Sequence, residues 1–201
     1  IRVYDDLSSA PLYTYSGLIN PSFAIEINNG NYLIADTGSD EVIEVSSDMS
    51  TLIDTISVTS PIFLDYLEET DLLLVTVSGG TIFEYARGSF ILVWTSSTSF
   101  GALSTATYSK KNFNRIVTAD IGDNKIRIID RSTGITTEHS GFSDFSGDTD
   151  SFVQPYSAME FEDGSISVVE KLGRTITFDD FASSSSSSID SSSELLVIEL
   201  S

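Results

Sequence analysis

The chain has 201 residues, 40% of them hydrophobic, which is enough apolar material for a full core. It sets 30 acidic side chains against 10 basic ones, and a net charge of −20 works against binding nucleic-acid phosphates or anionic lipid. It has no cysteine, which excludes disulfides and thiolate metal sites, and no apolar run of the roughly 18 residues that a membrane-spanning helix needs.

The 18 Asp and 12 Glu fit either of two surfaces. One is built for high salt, where carboxylates stay hydrated and repulsion is screened; the other is an ordinary acidic extracellular surface. The chain opens at Ile1 without Met and without a basic-then-apolar leader. It is therefore expected to be processed, cut, or part of a longer polypeptide.

In chain order, IRVYDD (1–6) and Pro11 to Tyr15 read as two short strands. The stretch Pro21 to Val45 then reads as three: Phe23–Ile27, Tyr32–Ala35 and Glu41–Val45. They are joined by Asn28-Asn29-Gly30-Asn31 and by Asp36-Thr37-Gly38-Ser39-Asp40, turn residues that tolerate positive φ. This stretch recurs. Pro21, Pro61, Thr105 and Pro155 can be superposed without gaps, and a fourth apolar run follows at Thr51–Val58, Phe90–Trp94 and Gly134–His139. Four strands per unit, with starts roughly 40, 44 and 50 residues apart, is the spacing of β-propeller blades. The expected fold is an all-β propeller of four-stranded antiparallel blades, four full and one partial, five in total. Residues 1–180 would form it, with blade starts near 21, 61, 105 and 155 and a half blade at 1–18. IRVYDD matches IRIIDR (126–131), so the chain would open in mid-blade. Phe181 to Ser193 is nearly all serine and reads as a linker. The terminal strand, 194–201, would complete the fourth blade or close the ring with the half blade.

Leu33 to Val45 (LIADTGSDEVIEV) and Ile116 to Asp130 (IVTADIGDNKIRIID) resemble the NHL repeat. The likeness is strong in the first and third copies and weak in the second, where Thr76-Val77-Ser78 replaces Asp-Thr-Gly. The resemblance implies a propeller and little about function. Asp36, Asp40, Asp120 and Asp123 are read as caps for turn N–H groups.

Candidate chemistry is sparse. The one histidine, His139, falls in an outer strand between Glu138 and Ser140, which excludes multi-histidine metal sites and most histidine triads. It is expected at the solvated surface, and its isolation sets aside the peptide-amidating lyase of the NHL-like group. In propellers the first strand of each blade lines the axial channel. The fifth residue after each unit start is Glu26, Tyr66, Lys110 or Glu160. These would bind a cation or a sugar, or, through the two carboxylates, act as acid and base at a glycosidic bond. The competing reading is rim residues in water with an internal ion pair. Lactonase-type propellers hold an axial metal through Glu, Asn and Asp, but the Asn residues here fall in turns. The loop Ser143–Ser151 gathers Asp144, Asp148 and Asp150, hard oxygen ligands that suit Ca²⁺, the one candidate cofactor. The alternative is a solvated loop. Aromatics in or beside loops (Tyr13, Tyr15, Phe100, Tyr108, Phe142, Phe145, Phe152) suit protein or glycan recognition, or the packing between blades.

The expectation is a non-enzymatic binding or structural module in an extracellular or virion or filament surface assembly. Its partners would be protein or glycan, with self-assembly or a neighbouring chain completing the partial blade. The alternative is an axial hydrolase or lyase acting on a sugar or lactone through Glu26 and Glu160.

Overall fold

The computed structural model of the protein describes residues 1–3, 10–143 and 149–179. The chain divides into two compact units, Ile1–Ser96 and Ser97–Ser201.

Unit 1 opens with β1 (Arg2–Val3) paired antiparallel to β2 (Tyr13–Thr14). Two four-stranded antiparallel meanders follow. The first is β3 (Pro21–Glu26), β4 (Tyr32–Asp36), β5 (Glu41–Val45) and β6 (Leu52–Ser57). The second is β7 (Pro61–Leu67), β8 (Leu72–Val77), β9 (Thr81–Ala86) and β10 (Ile91–Thr95). Unit 2 repeats the pattern with β11 (Leu103–Tyr108), β12 (Arg115–Asp120), β13 (Lys125–Asp130) and β14 (Thr136–His139). A small hairpin, β15 (Gly141–Ser143) with β16 (Thr149–Ser151), comes next. The fourth sheet is β17 (Pro155–Glu160), β18 (Ser165–Glu170) and β19 (Thr175–Asp179). The Ser-rich tract 181–193 and the strand expected at 194–201 lie outside the described residues, as does the loop tip 144–148.

Burial explains why the second strands read as apolar runs and not as alternations. Leu33, Ile34 and Ala35 in β4 are fully buried, as are Leu73, Leu74 and Val75 in β8 and Ile116 and Val117 in β12. An inner strand covered on both faces has no solvent side on which to place polar residues. In unit 1 the two sheets share one core that includes Leu33, Val42, Leu64, Leu73 and Tyr85, with the Phe23 and Phe63 rings 4.2 Å apart. Unit 2 does the same with Val117, Ile126, Phe152, Ala158, Ile166 and Val168. Each such aliphatic side chain contributes about 1.5–3 kcal/mol when fully buried.

Every first strand carries a bulge at the same place. The pairing register slips between Pro21 and Phe23, Pro61 and Phe63, Leu103 and Thr105, and Pro155 and Ser157. A bulge re-aims the extra side chain. Ser22 Oγ donates to the Pro61 carbonyl at 3.2 Å, and Ser104 Oγ to the Pro155 carbonyl at 3.3 Å, each reaching the next sheet of its own unit. A second joint uses the turn before the third strand. Asp40 and Asn124 sit there in the left-handed region, φ 55° and 53°. Their Oδ1 atoms accept the Ser60 and Gln154 N–H groups, both at 2.7 Å.

The Asp-Thr-Gly and Asp-Ile-Gly turns have a related geometry. Asp36 accepts the Ile19 N–H at 2.8 Å, and Asp120 accepts those of Gly101 and Ala102 at 2.8 and 2.9 Å. These carboxylates tie the segment before the first strand to the end of the second. A Cβ on Gly38 would overlap the Ile19 carbonyl oxygen, and one on Gly122 would lie 2.6 Å from the Ala102 nitrogen. Glu170 does the same job in the fourth sheet, accepting the Val153 N–H at 2.6 Å. Val77 at the matching place has no carboxylate.

Two expectations are corrected here. The third copy begins at Leu103, not Thr105, because the turn after its first strand, 109–114, is longer than its counterparts. A gapless alignment anchored on the second strand therefore slips by two residues on the first. The acidic segment 143–151 is also not a plain loop, since both flanks pair as the β15–β16 hairpin.

Candidate functional site

The residues expected to line an axial channel fall two in each unit. In unit 1, Glu26 ends β3, is exposed, and lies opposite Tyr32. Burial pushes the Tyr32 phenol above its ordinary range, and the Glu26 charge adds to the effect. Tyr66 is half-buried in β7 and donates its hydroxyl to Asp71 Oδ1 at 2.8 Å. Burial, then this bond to a carboxylate, pushes its phenol up to about 12.

Tyr66 belongs to a larger polar network. Arg87, just past β9, bonds Asp71 Oδ1 through Nε at 2.6 Å and Glu44 through Nη1 at 3.1 and 3.0 Å. Glu44 is buried on β5 and also accepts from Asn31 Nδ2 at 2.7 Å. Arg87 thus ties β5 of the first sheet to the turn before β8 in the second. Although burial opposes its charge, the bonds to Asp71 and the field of Glu44 raise its pKa further above the ordinary arginine value. A guanidinium so held is a fixed positive charge, not a proton carrier.

In unit 2, Glu160 ends β17 with no solvent exposure, and Arg115 Nη1 at the start of β12 lies 3.1 Å from its Oε1. The Lys110 side chain does not share a strand face with it. Lys110 lies two residues beyond β11, in the exposed loop, and only its backbone N–H reaches the Glu160 carbonyl oxygen, at 3.0 Å. The strand position equivalent to Glu26, Tyr66 and Glu160 is Tyr108, which is fully buried with the Arg131 guanidinium 5.7 Å from its ring centroid.

A second cluster in unit 2 surrounds Arg127, itself buried. It bonds Asp120, Asp123 Oδ2 at 2.6 Å and Glu138 Oε1 at 2.6 Å, and its guanidinium carbon lies 5.5 Å from the Phe100 ring centre. Burial raises the Asp120 carboxyl, but the backbone N–H groups of Ala102, Gly101 and Asp123 and the Arg127 bond outweigh it and hold the group below its ordinary range. Asp123 serves as an arginine partner in place of the turn cap expected of it. The fourth sheet repeats the arrangement with Arg174, which bonds Glu170, Asp150 and the Ser151 carbonyl oxygen and lies 5.6 Å from the Phe142 ring centre. Asp150, the one described member of the acidic trio, is therefore an arginine partner, and that bond holds its carboxyl below the ordinary range. Asp144 and Asp148 lie outside the described residues. Among the described residues no three His, Cys, Asp or Glu side chains are grouped to hold a metal ion.

Of the remaining singled-out residues, His139 is half-buried at the end of β14, opposite Ile126. The aromatics divide: Tyr108 and Phe152 are core, Phe142 packs on that core, Tyr13 is exposed, and Phe145 lies outside the described residues. Sequence reasoning missed Glu44, Asp71 and Arg87. The signal available was a charged residue inside an otherwise apolar strand, Glu44 in EVIEV, which calls for a partner from elsewhere in the chain.

No known sequence family matches the chain, and no curated protein does. Solved structures do. A hydrazine synthase of Kuenenia stuttgartiensis is similar over 83% of this chain and 47% of its own, with TM-score 0.65 and 12% identity. The WD40 β-propeller domain of Doa1 is similar over 81% of this chain and 51% of its own, with TM-score 0.63 and 13% identity. The fold is that of a β-propeller, all-β and built of antiparallel blades. The chain spans about half the length of the solved structures it matches.

Proposed function

We propose that this chain is a non-enzymatic propeller of NHL-like type. In this reading it is a binding or structural module in an extracellular or virion or filament surface assembly, with protein or glycan partners. One observation carries the reading: two of the expected axial residues, Tyr66 and Glu160, are already engaged inside their own units, although Glu26 and Lys110 are exposed. Tyr66 and Arg87 serve Asp71 and Glu44, and Arg115 serves the buried Glu160. A catalytic pair needs a base free to exchange protons near neutral pH and a water-accessible acid. Glu160 is not water-accessible, and the Tyr66 phenol, pushed up to about 12, does not exchange its proton near neutral pH. The fold itself does not decide, since propellers host many functions.

The test is turnover. The chain is expected to show none with glycan or lactone substrates. Activity in the unmodified chain that falls at least about a hundredfold in a Glu26→Gln, Glu160→Gln double variant would establish the axial hydrolase or lyase in its place.

A further inference from the structure

We propose that the loop 109–114 of unit 2, exposed at residues 110–113, is a docking surface for a second copy of this chain, which presents its own loop Glu68–Thr70. The inference rests on the assembly reading above and names its contact.

Four of the ten basic side chains stand in or beside this one loop: Lys110, Lys111, Arg115 and Arg131. Arg115 is turned inward to Glu160, and Arg131 donates to the Phe113 carbonyl oxygen at 3.2 Å, which supports the loop from below. Lys110 and Lys111 are exposed and form no ion pair among the described residues, although the chain holds three carboxylates for every cation. The Lys111 side chain lies across Gly164. Its charge is a minor contributor at Asp163, whose carboxyl is held low first by the Ser165 hydroxyl. Beside the lysines, Phe113 is exposed to 38%. Exposed lysines next to an exposed aromatic side chain in one short loop suit recognition of carboxylates carried on a polypeptide.

The complementary surface is the matching turn of another copy. Between β7 and β8 the chain places Glu68 and Glu69 side by side in a short 3-10 turn, both exposed. Neither makes an ion pair among the described residues; the neighbouring Asp71 is the one that Arg87 takes. Two adjacent exposed carboxylates thus occupy the same place in one blade that two adjacent exposed ammonium groups, one of them lying over Gly164, occupy in another. A contact between unlike patches is heterologous, so copies add head to tail into a ring or a filament. Each copy also carries a charge of −20, so the contact needs screening of the long-range repulsion. At physiological ionic strength the screening length is about 8 Å, which suppresses body-to-body repulsion and leaves loop-to-loop pairs intact.

The experiment measures weight-average mass by sedimentation over a concentration series, in physiological salt, with circular dichroism confirming the fold of each variant. The unmodified chain is expected to gain mass with concentration. Lys110→Glu with Lys111→Glu, and separately Glu68→Lys with Glu69→Lys, each weaken that association at least about tenfold. Mixing the two variants in equal amounts restores it, because each then supplies the charge the other lacks. Association that ignores both reversals, or that mixing does not restore, overturns the contact. So does an unmodified chain that stays monomeric throughout. Those outcomes leave the non-catalytic reading standing, which only turnover removes.

Discussion

Units 1 and 2 join their sheets with the same backbone-level joints and with different charges. Ser22 and Ser104 reach the next first-strand carbonyl at 3.2 and 3.3 Å, and Asp40 and Asn124 accept the next N–H at 2.7 Å in both units. The partners of the buried acids share no such correspondence. Unit 1 bridges its sheets through Arg87 between Glu44 and Asp71, whereas unit 2 bridges through Arg115 to Glu160 and keeps Arg127 within one sheet. The repeat thus specifies how blades meet. The ion pairs are individual solutions to particular buried carboxylates, and they account for where each unit is most sensitive to change.

The strongest way to break this comparison is to remove an arginine. Arg87→Ala leaves Glu44 buried and facing no cation, and should cost about 3–5 kcal/mol, the range for breaking a buried pair. Arg115→Ala should cost a similar amount through Glu160. Denaturant unfolding with unit-specific probes is expected to show each loss first in its own unit; equal effects of either variant on both units would refute the assignment.

A smaller effect tests the shared joint. Asp40→Ala and Asn124→Ala each delete one acceptor and should each cost about 1 kcal/mol. The comparison predicts nearly equal losses although one residue is charged and the other neutral. A much larger cost for Asp40 would mean that charge, and not the hydrogen bond, matters at that joint.

The last effect shows only at high pH. Burial and the bond to Asp71 raise the Tyr66 phenol to about 12 in the folded chain, against an ordinary value near 10. A raised folded value gives stability that is whole below the unfolded pKa and is lost as pH rises through the folded one. The loss should run from about pH 10 to 12. Absorbance titration should show one tyrosine ionising near pH 12, and Asp71→Asn should lower that midpoint. An unchanged midpoint would detach Tyr66 from the network.

Much of the fold was legible because the period is written in turn chemistry. Asn-Gly, Asp-Thr-Gly and Asp-Ile-Gly mark strand ends, and β-branched runs lie between them. The role of Asp120 as a turn cap was legible for the same reason, since it accepts the Gly122 and Asp123 N–H groups of its own turn. Asp36 departs from that expectation, because its backbone donor is Ile19, seventeen residues earlier. The site was less so. Lys110 was expected on a strand because turn length varies between copies, and a two-residue slip keeps the side-chain parity that alternation checks. Alternation alone thus offers no warning of that error. The Arg87 network joins residues as far apart as 44 and 87, and no local pattern encodes such a pairing. The β15–β16 hairpin escaped notice because polar, Gly- and Ser-rich flanks carry no apolar alternation.

The reach of a carboxylate also decides which neighbours a copy can inherit. Aspartate is short, so the segment it captures must come close, and at Gly38 and Gly122 that leaves no room for a methyl group. The second copy has Val77 in place of the acid, and its Gly79 faces open space. The fourth has the longer Glu170, and there Leu172 extends into solvent with 82% exposure. Acid and glycine are therefore a linked pair of letters: a lineage that loses one is released from keeping the other, and both should vary together among descendants of this repeat.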